Sequence, residues 1–223
     1  SIIKFIQKNR LIIPDPVFQL AISKFRREVF QEGQYRSAVM LTVLVDACPY
    51  LTDAKELVSK SVAKELVSEC ISALKPGNDH LTAAFLVIIS RWIDRFPVQL
   101  YEYNQLLMTI TKMTNQYHNF YAISEHVCDI VTAILPKVSE GALKSACLTL
   151  ARGPKFFTSE NAMAWLDVWW CVKDVKVRVT DAALNALHAT MKKYRQSSPT
   201  CYEVLVEKFS KIWRALMSNR SPI

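Results

Sequence analysis

The residues able to do chemistry in this 223-residue chain are few and scattered. The 4 histidines are His80, His118, His126 and His188. None stands at the spacing of a Ser/His/Asp, Cys/His or metal-binding set. His80 and His118 fall in turns, His126 and His188 on helical patterns, and all read as surface or partly buried imidazoles. The 6 cysteines, Cys48, Cys70, Cys128, Cys147, Cys171 and Cys201, sit singly among apolar residues. They read as small buried hydrophobes in a reducing compartment, nucleus or cytoplasm. No Cys-x-x-Cys occurs, and His126-Val-Cys128 has the wrong step to place two ligands on one helical face. No glycine-rich phosphate loop is possible with 4 isolated glycines. The acidic residues are dispersed over helix exteriors. The expectation is a protein that is no enzyme, with no catalytic residues, no metal and no cofactor.

Residues suited to binding are easier to find. Trp165, Trp169 and Trp170 fall within six positions. Trp165 and Trp169, at i and i+4, share a face, while Trp170 points about a quarter-turn away. Packing accounts for most of such a cluster; the one that cannot enter the seam would be an anchor for a partner. Phe156 and Phe157 lie in a loop opened by Gly153-Pro154, where two adjacent phenyl rings must fold back or meet something. Charge is uneven. The net +8 splits into +4 over residues 1–36, −2 over 37–172 and +6 over 173–223. The basic candidates are Lys24, Arg26, Arg27, Lys173, Lys176, Lys192, Lys193 and Arg195. They read either as solvated helix faces or as contacts to an acidic partner, protein or nucleic acid.

These side chains have to be positioned by helices. The chain is 51% hydrophobic with 22% charged residues, ample for a core and too apolar for disorder. Glycine is scarce, period-two alternation is absent, and apolar residues recur at three- and four-residue steps. About eleven helices are expected, beginning with Ser1–Ile12. Asp15 and Pro16 start a second, which Gly33 stops. Tyr35–Ala47, closed by Pro49, and Leu81–Phe96 are apolar on most sides and should be inner helices. Thr52 caps a helix to Lys75, and Pro76-Gly-Asn-Asp forms a turn. Val98–Tyr117 and Phe120–Leu135 follow. Ser139 caps the next, Thr158 or Ser159 the one carrying the tryptophans. The last helix is Cys201–Met217. The opening residues lack the form of a secretory signal, and the most apolar run, Leu81–Ser90, stops at Arg91, short of the ~20 residues of a membrane span. The chain starts at Ser, and its ends look like those of a piece excised from a longer protein.

The stretch Asp174–Met191 carries a family likeness. Asp174, then Val177-Arg178, then Ala182, Ala183, Ala186 and Leu187 at helical spacing closely resemble the second helix of a HEAT repeat. Val179, Ala182, Ala183, Ala186, Leu187 and Met191 would form its buried face. In that family the Arg pairs with the Asp of its own or the adjacent repeat, so Arg178, facing Asp174, is read as structural. Every second expected helix starts near 16, 53, 98, 139 and 177, spacings of 37, 45, 41 and 38 residues. HEAT and armadillo units run about 40–47 residues. The expected fold is therefore all-α, a right-handed α-solenoid of about five helical hairpins in a single 1–223 domain; a compact helical bundle is the alternative. By resemblance, such an array is a non-catalytic protein–protein scaffold of an intracellular complex. It would hold a peptide or helix of a partner on the helices starting near 53, 98, 139 and 177. The alternative is a helical domain that binds nucleic acid, or another acidic partner such as tubulin, through its basic ends. The Trp that tubulin-binding HEAT-type domains carry in the first inter-helix turn has no counterpart here. No membrane contact is expected.

Overall fold

The computed structural model describes residues 14–51, 56–75, 79–173 and 179–218. Among them the chain is all-helical, with ten α-helices and no strand. Helix Ser1–Ile12, the Thr52 cap, the turn at Pro76, the Cys48 and His80 side chains, Lys176 and the Asp174–Arg178 pair lie outside what is described. The described helices divide between two compact units, with the boundary between Val98 and Gln99.

The first unit holds α1 (Asp15–Glu32), α2 (Tyr35–Leu51), α3 (Glu56–Ala73) and α4 (Asp79–Trp92). α2 and α4 are the inner pair, since each packs on the other and on both α1 and α3. The reason is composition. α4 buries every residue from Ala84 to Ile89 and then Trp92, so most of its circumference is closed to water, with Arg91 exposed near its end. A buried carboxylate ties the inner pair together. Asp46 on α2 accepts from Trp92 Nε1 at 2.9 Å, Arg91 at 2.8 Å and Arg95 at 3.1 Å. α1 ends at Gly33, whose left-handed φ of 65° lets its N–H close on Val29 O at 3.1 Å. The buried face of α1 is Phe18, Ile22 and Val29. Of the face expected from the periodicity, Val17, Leu20, Ala21, Phe25 and Val29, only Val29 is buried, Ala21 and Phe25 are half-buried, and Val17 and Leu20 are 54% and 71% exposed. The face centres one residue on because Phe18 has more apolar area to bury than Val17, and Ile22 shares its side at a four-residue step. α2 runs two residues past Pro49. Proline's φ is helical, and near a C-terminus only one ladder bond is lost.

The second unit holds α5 (Leu100–Gln116), α6 (Ser124–Ile134), α7 (Glu140–Leu150), α8 (Ser159–Val172), α9 (Asp181–Ser197) and α10 (Pro199–Ser218). Its packing alternates. α7 lies against both α5 and α9, and α8 against both α6 and α10, while α5 meets α6 and α9 meets α10. The starts are set by hydroxyl caps. Ser139 accepts from Ala142 N, Thr158 from Asn161 N and Thr180 from Ala183 N, each satisfying an otherwise orphan donor. Thr180 thus starts α9 later than the HEAT-like reading of 175–177. Its buried face is Ala183, Leu184, Leu187, Met191 and Tyr194, with Ala182 exposed and Ala186 half-buried. Leu184 and Tyr194 displace the two alanines because they have more apolar area to remove from water.

Candidate functional site

The Gly153–Thr158 loop is held from three sides within the second unit. Gly153 takes φ 71° and presses on α9: a Cβ there would meet Thr190 Cγ2 at 2.8 Å and Tyr194 Oη closer still. Thr190 Oγ1 donates to Ala151 O at 2.7 Å. Lys155 N donates to Asn115 O at 2.9 Å, and Asn115 Nδ2 donates to Thr149 O at 2.8 Å. The two phenylalanines then part. Phe157 folds back and stacks on Tyr194, ring centroids 3.7 Å apart, with Trp165 edge-on to the same ring at 5.9 Å. Phe156 stays 37% exposed, 4.8 Å from the His118 ring and with Lys155 Nζ 5.8 Å from its centroid.

Asn161 is the residue that ties this loop to the rest. It is 1% exposed. Its Nδ2 donates to His118 O at 2.8 Å and Phe156 O at 2.9 Å, and its Oδ1 accepts from Tyr121 N at 3.1 Å. An open cleft of about 760 Å³ results, lined by His118, Asn119, Tyr121, Lys155, Phe156 and Glu160 among others. It offers aromatic faces, an ammonium, an imidazole and a carboxylate to solvent. His118 Nδ1 faces the Asn119 amide at 2.9 Å rather than a carboxylate or hydroxyl. The set is suited to contact with a partner through aromatic and charged groups.

The tryptophans divide as their spacing requires. Trp165 and Trp169 are fully buried, so neither is a surface anchor. Trp165 Nε1 donates to Leu150 O at 2.7 Å, while Trp169 Nε1 is buried without a hydrogen-bond partner. Trp170 is 41% exposed, with Lys173 Nζ 4.4 Å from its ring. Beside it, between α8 and α10, lies a hollow of about 460 Å³ lined by Met163, Asp167, Trp170, Val204, Lys208 and Lys211 among others. Val204 is 61% exposed. Lys208 pairs with Asp167, and Lys211 with Glu207 at 2.7 Å, so the rim is charged and largely self-neutralised.

The basic candidates fall in different units. Lys24, Arg26 and Arg27 are on α1, where Lys24 stands 3.9 Å from Glu28 and Arg26 pairs with Glu69. Lys192, Lys193 and Arg195 are exposed on α9. Lys173 belongs to the Trp170 surface. Asn161 escaped the sequence reading because an Asn in a first helical turn is ordinary; its one signal is its place three residues after the Thr158 cap. No protein-family model, no curated protein and no solved structure matches the chain. Among the described residues no helix is long and apolar enough to cross a membrane.

Proposed function

We propose that the chain is a non-catalytic protein–protein interaction scaffold of an intracellular complex, an α-solenoid of the HEAT/armadillo kind. Its occupant is an amphipathic helix or peptide of a partner. The observation that carries this reading is Trp170. Its helix buries two other tryptophans completely yet leaves this one 41% exposed, next to the 61% exposed Val204. A half-exposed Trp over a shallow apolar hollow with a charged rim has the composition of a binding hot spot. The alternate-helix packing of α5, α7 and α9 and of α6, α8 and α10 supports the solenoid part, as does the HEAT-like stretch 174–191. The resemblance would put the partner on α3, α5, α7 and α9. The apolar exposure lies on α8 and α10, and the proposal follows the exposure.

The test uses the chain as bait in a lysate, at low and high salt, beside Trp170→Ala and Val204→Asp variants. Partners retained at high salt by the parent chain and lost with both variants are expected. Retention by both variants refutes the assignment. A second reading rests on the exposed Lys192, Lys193 and Arg195. Nucleic acid or an acidic protein bound there is lost steeply with salt and with charge-reversal of those three residues, while Trp170→Ala leaves it unchanged.

A further inference from the structure

The five described cysteines are all free thiols. Cys70, Cys147 and Cys201 are buried, with exposures of 0%, 2% and 6%. Burial pushes the Cys70 thiol up and the Cys147 thiol to about 12. Neither is reactive near neutral pH. Cys128 on α6 and Cys171 on α8 are less buried, and Cys171 alone is shifted in the opposite direction. Both are half-buried, and Cys171 Sγ lies 3.9 Å from Cys128 O, which brings the two side chains together where α6 packs on α8. Donation from the Cys128 thiol, with help from Thr132, holds Cys171 down to about 6 against the resisting effects of burial, Asp167 and Asp129. Cys128 is pushed up by the same contact, by burial and by Asp167, with Lys208 opposing. The pair is thus asymmetric, with Cys171 the sulfur that gives up its proton more easily and Cys128 the one that keeps it.

From this geometry we infer that Cys128 and Cys171 form a modification site, a dithiol that closes reversibly to an intramolecular disulfide with a peroxide as oxidant. The Cys171 thiolate attacks one peroxide oxygen, the O–O bond breaks, and hydroxide leaves, giving a sulfenic acid at Cys171. The Cys128 sulfur then attacks Cys171 Sγ, the S–O bond breaks, and the Cys128 proton departs with the hydroxyl as water. Two thiols and one hydrogen peroxide become one disulfide and two waters. A dithiol reductant reverses the change. The two residues lie 43 positions apart and meet only because α6 packs on α8.

The experiment treats the folded full chain with hydrogen peroxide, quenches the oxidant, blocks the remaining thiols by alkylation in denaturant, and maps the products by peptide mass spectrometry. The expected product links the Cys128 and Cys171 peptides, disappears on reduction, and leaves Cys70, Cys147 and Cys201 alkylated. Sulfinic acid at Cys171 with Cys128 still free overturns the inference, as does faster oxidation of a buried cysteine. In Cys128→Ser the sulfenic acid at Cys171 should persist and be trapped by a 1,3-diketone. The pH midpoint of Cys171 alkylation should lie near 6 in the parent chain and rise in Cys128→Ala, which removes the donor. An unchanged midpoint in Cys128→Ala, in a variant with parental circular dichroism, shows that the two sulfurs do not interact and ends the proposal.

Discussion

Asn161→Ala removes three hydrogen bonds at once, to His118 O, Phe156 O and Tyr121 N, in a site that is 1% exposed. At roughly 0.5–1.5 kcal/mol net for each bond, the loss should be about 2–4 kcal/mol. Asn161→Asp is the sharper probe. It keeps an acceptor for Tyr121 N but sets an anionic oxygen against two carbonyls that had received N–H donors. At neutral pH it should be worse than alanine, although it is the closer isostere. The introduced carboxyl is disfavoured in its charged form in the folded state, so its folded pKa is raised above its unfolded value. The folded protein then holds the extra proton more tightly, and the penalty shrinks as pH falls through the raised folded value toward the unfolded one. Urea unfolding followed by circular dichroism, at neutral and at mildly acidic pH, measures this. Exchange protection of the Tyr121 amide reports the site directly. An alanine cost under about 0.5 kcal/mol, or an aspartate variant milder than alanine at neutral pH, would refute the idea that this amide organises the loop.

Gly153→Ala should cost about 2–4 kcal/mol, combining left-handed strain with overpacking against Thr190 and Tyr194. Tyr194→Phe in that background should return part of the loss, because the hydroxyl oxygen is the nearest obstacle; thermal unfolding of the single and double variants decides. Trp165→Phe should be costlier than Trp169→Phe by about 1 kcal/mol in urea denaturation. The first loses a hydrogen bond to the Leu150 carbonyl, which keeps the one from Gly153 N, and the second only deletes an N–H that has no partner.

Much of the local structure is legible along the chain. The Ser139 and Thr158 caps and the Gly33 stop follow from rules that need only neighbouring residues. The inner role of α2 and α4 is readable because a helix apolar on every side has nowhere else to go. Faces of amphipathic helices are less legible. On α9 an alanine stripe and a Leu184–Tyr194 stripe are both at helical spacing, and on α1 Val17 and Leu20 compete with Phe18 and Ile22. Periodicity allows either; the neighbouring helix chooses the side with more area to bury. The start of α9 is a local rule overlooked, since Thr180-Asp181 is as good a cap as Ser139-Glu140.

The sequence alone determined that this chain is helical, where most helices stop, and that Trp165 and Trp169 share a face that Trp170 does not. Those are properties of backbone geometry and side-chain spacing, settled within a few residues. Tertiary structure alone decided that Trp170 is the one left at the surface and that Phe157 folds onto Tyr194 while Phe156 does not. It also decided that Asn161 gathers backbone groups from positions 118, 121 and 156, and that Cys128 meets Cys171. Each joins residues that only helix-on-helix packing brings within bonding distance, and that packing depends on summed burial across neighbours rather than on any local pattern.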